Sequence, residues 1–221
     1  YIANAGGVTG VDGHLGHDVS DGAIANRIFG RVGDIIAASE SEGKTTQAIA
    51  DKKSRDFFEG LERADTLSQG QRSRIEELAF SDGSRVRALS SREDFPEEAL
   101  KYWDGHYAVF EITNKGLGYT AYMAVHRLTK INSKAEVING QYRATGGTRI
   151  RAYPSNTAAL IDALELSKEM SFKNAGAGLA IGGSKCTINV SIDPRSVGRD
   201  TKARKKILIS YAKAIETIGS L

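Results

Sequence analysis

Apolar residues recur at helical spacing through the first sixty positions and change to alternation after about residue 105. Ile24, Ile28, Val32, Ile35 and Ile36 form one apolar stripe. Ser20 or Asp21 supplies an N-cap before it and Gly43 a stop after it, which predicts a helix between them. A second helix is predicted from Thr46 to Leu61, with Ile49, Phe57, Phe58 and Leu61 as its buried side. Residues 65–70 are polar and read as a connection, and a third helix is predicted from Gln71 to Phe80. Ser81 to Pro96 is charged and reads as a loop or a weak helix. Tyr1 to Val8 reads as the end of a strand running into a Gly-Gly turn.

In the second half, Tyr107–Ile112 and Tyr119–His126 read as strands parted by Asn114-Lys115-Gly116, which predicts a hairpin. Lys130 to Gln141 is polar and reads as a surface insertion, and Gly147–Tyr153 as a further strand. Pro154-Ser155-Asn156 opens a helix that carries Ala159, Ala163, Leu166 and Met170 on one face and is predicted to end at Met170. Cys186, Ile188, Val190 and Ile192 alternate with Thr187, Asn189 and Ser191, the cleanest strand signal in the chain. A last helix is predicted from Thr201 to Ile218. The pattern is that of an α/β domain: a mixed sheet centred on the Cys186 strand, with helices on both faces. The two helices of the first sixty residues should dock on that body, because their stripes need a partner to bury against.

Composition narrows the function classes. The 221 residues carry a net charge of +3, and no apolar run reaches the roughly 18 residues of a membrane span. The basic run Lys202, Arg204, Lys205, Lys206 reads as a solvated helix face, because Ile207, Tyr211, Ile215 and Ile218 follow at helical spacing and no aromatic platform accompanies it. Nucleic acid and membrane are therefore not expected partners. Cys186 is the only cysteine, which excludes an internal disulfide and favours a reducing, cytoplasmic setting. The first residue is Tyr, so the sequence is expected to begin inside a longer one. His14 and His17, with Asp12 and Asp18, lack the further Cys/His cluster of a metal site.

The segment Lys173-Asn-Ala-Gly-Ala-Gly-Leu-Ala-Ile-Gly-Gly-Ser-Lys185 carries the most chemistry. Its glycines would let backbone approach a small ligand, and its two terminal cations could hold an anion and, once deprotonated, act as a base. Spacing alone favours the plainer reading, two surface cations beside a flexible loop. Gly176, Gly178 and Gly182 approximate a dinucleotide-binding signature. That signature needs a strand before it and a helix after it, and here the order is reversed.

Taken together, Met170 to Lys185, the Gly146-Gly-Thr-Arg149 segment, the helix between them and His126 resemble the glutamate/leucine/phenylalanine/valine dehydrogenase family. Ile2-Ala-Asn4-Ala-Gly-Gly-Val8 and Thr46 to Asp51 resemble the other end of the same family. The resemblance implies one substrate-binding domain over 1–221 in permuted order. Residues 1–64 resemble the family's C-terminal segment, 65–104 form a connection, and 105–221 resemble its N-terminal domain. The family's Rossmann domain is not in the sequence, and both ends meet the place where it would attach.

The resemblance also implies roles. The family oxidatively deaminates an amino acid, passing a hydride from the α-carbon to NAD or NADP. Lys173, aided by Gly146 and Gly147, is implied to hold the α-carboxylate, and Lys185 to be the catalytic base, which requires a lowered pKa. Asn4 is implied to contact substrate or nicotinamide. Thr145 stands where glutamate-specific members place a lysine, so an uncharged side chain is the expected substrate feature. A separate Rossmann-type chain and a homo-oligomer are the implied partners. Two other readings stay open: a non-catalytic amino-acid or keto-acid binding subunit, and a structural oligomerisation subunit.

Overall fold

The computed structural model describes residues 21–61, 78–130, 142–190 and 201–219. Its contacts divide the chain into two units. The first holds Tyr1–Ala64, Arg127–Thr145 and Lys168–Gly183; the second holds Asp65–His126, Gly146–Ser167 and Ser184–Leu221.

In the first unit, helix α1 covers Asp21–Glu42 and α2 covers Thr46–Glu59. Gly43 ends α1 in the left-handed region (φ 62°), and Lys44 N–H returns to the Ser39 carbonyl at 3.3 Å, as the sequence predicts. Thr45 caps α2 by accepting from Ala48 N–H at 3.2 Å. Ile35 packs with Ile49 and Ala50, and Phe58 packs with Phe172 and Ala175. The stripes of these helices thus find a partner in the second half of a later helix, α4. Ile36 departs from expectation: it is 46 % exposed, because the stripe of α1 centres on Ile35 and Val32.

The second unit is built on a mixed sheet. Its strands are β1 (Leu78–Ala79), β2 (Ser84–Ala88), β3 (Ala108–Asn114), β4 (Tyr119–Val125), β5 (Thr129–Lys130), β6 (Tyr142–Arg151) and β7 (Gly182–Val190), in the order β1-β2-β3-β4-β7-β6-β5. β5 and the first residues of β6 belong to the first unit, where Thr129 pairs with Arg143. The expected β3–β4 hairpin is present and antiparallel, its turn held by Leu117 N–H donating to Asn114 Oδ1 at 2.9 Å. Two further helices are α3 (Glu97–Leu100) and α4 (Asn156–Gly176), and α5 covers Lys202–Gly219. α4 joins β6 to the neighbouring β7, the crossover used between parallel strands. The first half of α4 covers one sheet face, where Ala159, Leu160 and Ala163 pack with Tyr122 and Val109. α5 covers the other, where the Tyr119 hydroxyl lies 2.9 Å from Ser210 Oγ. The α/β architecture with helices on both faces is the one expected.

Three elements differ from the sequence reading. Ser84–Ala88 is a strand, neither a loop nor a weak helix. Only Val86 of its Arg-Val-Arg core is buried, while Arg87 faces Glu111 and Asp94, so the charged alternation hid a half-buried strand. Leu78–Ala79 is also extended, where a helix was predicted through Phe80; residues 71–77 lie outside the described residues. Finally, α4 runs past Met170 to Gly176, and β7 begins at Gly182, so the expected long glycine loop shrinks to five residues, 177–181.

Gly33 sits inside α1, and a methyl added there would meet nothing within 4 Å. Gly33→Ala is expected to stabilise the protein by about 0.5–1 kcal/mol through helix propensity. Denaturant unfolding measures this, and a destabilised variant would contradict the placement of α1.

Candidate functional site

Lys185 stands in the middle of β7. Across the β4–β7 ladder it lies opposite Ala124, with Ser184 opposite Val125 and Cys186 opposite Met123. Alternation puts Lys185 and Thr187 on one face. Thr187 Oγ1 donates to the Ala159 carbonyl at 2.8 Å, so this is the face that α4 covers. Ala124 is fully buried and offers only a methyl beside the lysine stem. Lys185 itself is half-buried.

On the other side of β7, β6 presents Gly146 and Gly147, and the two glycines do different things. A Cβ at Gly146 would overlap the carbonyl oxygen of Ser184 and come within 2.7 Å of its Oγ. Gly146 is therefore bare because backbone presses on backbone. A Cβ at Gly147 would lie 3.8 Å from Lys185 Nζ, an ordinary contact. The lysine ammonium thus sits beside uncovered β6 backbone, and both glycines are exposed to solvent. The structure brings Lys185, Gly146 and Gly147 together.

The rest of β6 is anchored to α4. Arg149 reaches both carboxylate oxygens of Asp162 at 2.9 and 2.8 Å, and the Tyr153 hydroxyl donates to the same carboxylate at 2.5 Å. Arg151 lies over the Tyr153 ring at 4.5 Å. On the opposite face, Cys186 is buried near the hydroxyls of Tyr211 and Thr148, which are 3.4 Å apart. Burial pushes the Cys186 thiol up from its ordinary range, and likewise the phenols of Tyr122, Tyr153 and Tyr211.

The remaining predicted residues are placed as follows. Lys173 is half-buried on the last turn of α4, in the first unit, and not in a loop. Thr145 lies half-buried on β6, also in the first unit. Asn4 lies outside the described residues, as do His14 and His17. His126 is buried in the second unit against His106, ring centroids 5.0 Å apart, and His106 Nε2 lies 3.0 Å from Ser167 Oγ. Lys202, Lys205 and Lys206 are exposed while Ile207, Tyr211 and Ile218 are buried, as expected of a solvated helix face. Among the described residues no cluster of His, Cys, Asp and Glu could hold a metal, and no helix is long and apolar enough to cross a membrane.

Two positioning residues escaped the sequence reading. Ser171 Oγ accepts Gly183 N–H at 2.8 Å, and Asn174 Nδ2 donates to the Ile181 and Gly182 carbonyls, each at 3.1 Å. They fix the entry into β7. Their signal was present: Ser167, Ser171 and Asn174 form a polar i, i+4, i+7 stripe on an otherwise apolar helix side, and all three are fully buried.

Residues 135–220 match the family model described as Glu/Leu/Phe/Val dehydrogenase, dimerisation domain. The leucine dehydrogenase of Bacillus cereus is 40% identical over 91 residues, which are 41% of this chain and 22% of that protein. The chain therefore spans about a fifth of the length of that relative. The valine dehydrogenase of Streptomyces ambofaciens is 36% identical over 84 residues, 38% of this chain and 69% of that protein. The crystal structure of L-tryptophan dehydrogenase from Nostoc punctiforme aligns with 55% of this chain and 30% of its own, at 27% identity and a TM-score of 0.39.

Gly146→Ala is expected to destabilise the fold by about 1–3 kcal/mol or more, because strand backbones cannot part without breaking their ladder. Gly147→Ala should cost less than about 1 kcal/mol. Equal effects of the two on the denaturation midpoint would refute this division. The raised thiol and phenols set an alkaline limit. Each group is neutral in the folded chain below its ordinary value, 9.0 for cysteine and 10.0 for tyrosine. Above it the unfolded chain ionises first, so stability should fall as the pH rises past about 9. Urea titrations across that range check the direction.

Proposed function

Because the chain belongs to the glutamate/leucine/phenylalanine/valine dehydrogenase family, we propose that it is the substrate-binding domain of an amino-acid dehydrogenase that oxidatively deaminates an L-amino acid with an uncharged side chain. The observation that supports this reading is the Lys185 ammonium held beside the bare backbone of Gly147. In this proposal Lys185 Nζ takes the proton that must leave as water attacks the imine. Lys173 and the Gly146–Gly147 backbone hold the α-carboxylate, and Asn4 contacts substrate or nicotinamide. Thr145 cannot supply a positive charge to a side-chain carboxylate, which disfavours glutamate. The names of the similar leucine and valine dehydrogenases point the same way.

NAD or NADP is the proposed cofactor, but the described residues do not fit its phosphates. Gly176, Gly178 and Gly182 lie between a helix and a strand, and none opens a helix N-terminus toward a ligand. The nucleotide-binding domain is therefore proposed to lie outside these 221 residues, on a Rossmann-type chain or segment, with the family's two ends joined in permuted order within this one. The matched region is the family's dimerisation domain, and a homo-oligomer in a cytoplasmic setting completes the proposal.

Purification from the native source, with co-purifying chains identified by mass spectrometry and a nicotinamide-reduction assay on L-leucine and L-valine, tests the reading. Turnover is expected in the assembled enzyme. Lys185→Ala should reduce it by at least about a thousandfold, on the scale of losing a general base and the charge it places, with the unfolding midpoint kept. Wild-type rates in that variant would falsify the assignment.

A further inference from the structure

The proposed function asks the β6 backbone at Gly146 and Gly147 to hold a carboxylate, and glycine is the residue least able to keep its own backbone still. Neither residue has a side chain to wedge it against a helix, and both are exposed. The placement of their peptide groups therefore depends on neighbours. The next two residues of the strand are held from opposite faces of the sheet. The Thr148 hydroxyl lies 3.4 Å from that of Tyr211 on α5. Arg149 donates to both carboxylate oxygens of Asp162 on α4, at 2.9 and 2.8 Å.

The two anchors are unequal. Thr148–Tyr211 is one long contact between neutral groups. Arg149–Asp162 is charge-assisted and reaches both oxygens, which fixes orientation as well as distance. Asp162 also accepts the Tyr153 hydroxyl at 2.5 Å, from beyond the end of β6, and Tyr153 N–H donates to Asn189 Oδ1 on β7 at 2.8 Å. One carboxylate thus grips the chain at 149 and again at 153. Gly147 and Arg149 share a face of β6, two residues and about 6.6–6.8 Å apart. The side chains of Arg149 and Asp162 keep 40% and 23% of their surface in solvent, so the pair adds fixed geometry more than attraction.

We propose that Asp162 is a positioning residue for the substrate carboxylate: through Arg149 it holds the Gly146–Gly147 backbone where its peptide groups meet that carboxylate. The inference rests on the dehydrogenase reading of the site. Lys185 is placed differently. It stands on β7 and is set by the ladder to β4, which does not pass through Asp162. Loss of Asp162 should therefore weaken the grip on substrate and leave the proton transfer nearly as it was.

The test is steady-state kinetics of the assembled enzyme from its native source, with L-leucine as substrate. The competitive inhibitor is 4-methylpentanoate, which has the carboxylate and hydrocarbon chain but no amino group. Asp162→Ala is expected to raise KM for L-leucine and Ki for 4-methylpentanoate together, each at least about tenfold, with kcat within about threefold of wild type. Asp162→Asn keeps a neutral acceptor of the same shape, so both constants should rise only about threefold. A purely structural Asp162 would lower the yield of active enzyme, and so the apparent kcat, without moving KM or Ki; that result overturns the proposal. If Asp162→Ala does not fold, Asp162→Asn carries the test, and wild-type KM and Ki in it are the overturning result. No turnover by the wild-type enzyme on L-leucine or L-valine sinks the dehydrogenase reading and this inference with it. Turnover with unmoved constants in the variants sinks this inference alone.

Discussion

The contact between β6 and β7 at Gly146 governs the second unit. Neighbouring strands lie about 4.8 Å apart, which leaves room for side chains only above and below the sheet. At Gly146 even that room is taken, because the Ser184 carbonyl fills the place of a Cβ. The register this enforces sets Gly147 beside Lys185, and on the far side of β7 the ladder sets Ala124 beside it. A lysine stem flanked by a glycine and an alanine carries its ammonium beside the β6 backbone. The Arg149–Asp162–Tyr153 cluster then ties the outgoing end of β6 to α4. Removal of one partner would leave a partly buried charge unmatched, a larger loss than the pair's own attraction.

In the first unit the same economy appears at the end of α4. Gly178 takes the left-handed conformation (φ 77°), Leu179 N–H returns to the Asn174 carbonyl at 2.9 Å, and Gly178 N–H returns to Ala175 at 2.9 Å. Arg31 supplies a further donor to the Ala175 carbonyl. The helix end is thus closed by backbone and by a cation, as its partial negative charge favours. With Ser171 and Asn174 bonded onward to residues 181–183, the short connection has few backbone groups left to satisfy and little freedom.

Much of this was legible from the chain alone. The stop at Gly43, the β3–β4 hairpin, the Cys186 strand and the amphipathic α5 follow from local rules that act within a few residues. What was not legible depended on partners distant in sequence. Val86 reads as one apolar residue among arginines until β3 supplies Glu111 opposite Arg87. Lys173-Asn-Ala-Gly reads as loop because asparagine and glycine are poor helix formers. It is helical because Ala175 packs on Phe58 and Asn174 is bonded to the chain seven and eight residues on. The glycine pair at 146 and 147 was singled out by the resemblance alone, since no periodicity distinguishes a bare strand position from a turn.

That difference changes where ligand contact should be sought. A glycine-rich segment invites the inference that every glycine serves a ligand. Here Gly178 serves a helix end, and Gly182 makes room for the Arg127 carbonyl, which a Cβ would overlap. Those two positions are spent on the chain's own geometry. Unlike Gly146 and Gly182, Gly147 is bare without a backbone neighbour that requires it, since the nearest atom to its absent side chain is the Lys185 ammonium. An unforced glycine beside a charged group on an exposed strand segment is the arrangement in which a small anion can reach peptide N–H and cation together. Ligand contact is therefore to be sought on the strand, not in the loop beside it where the sequence draws the eye.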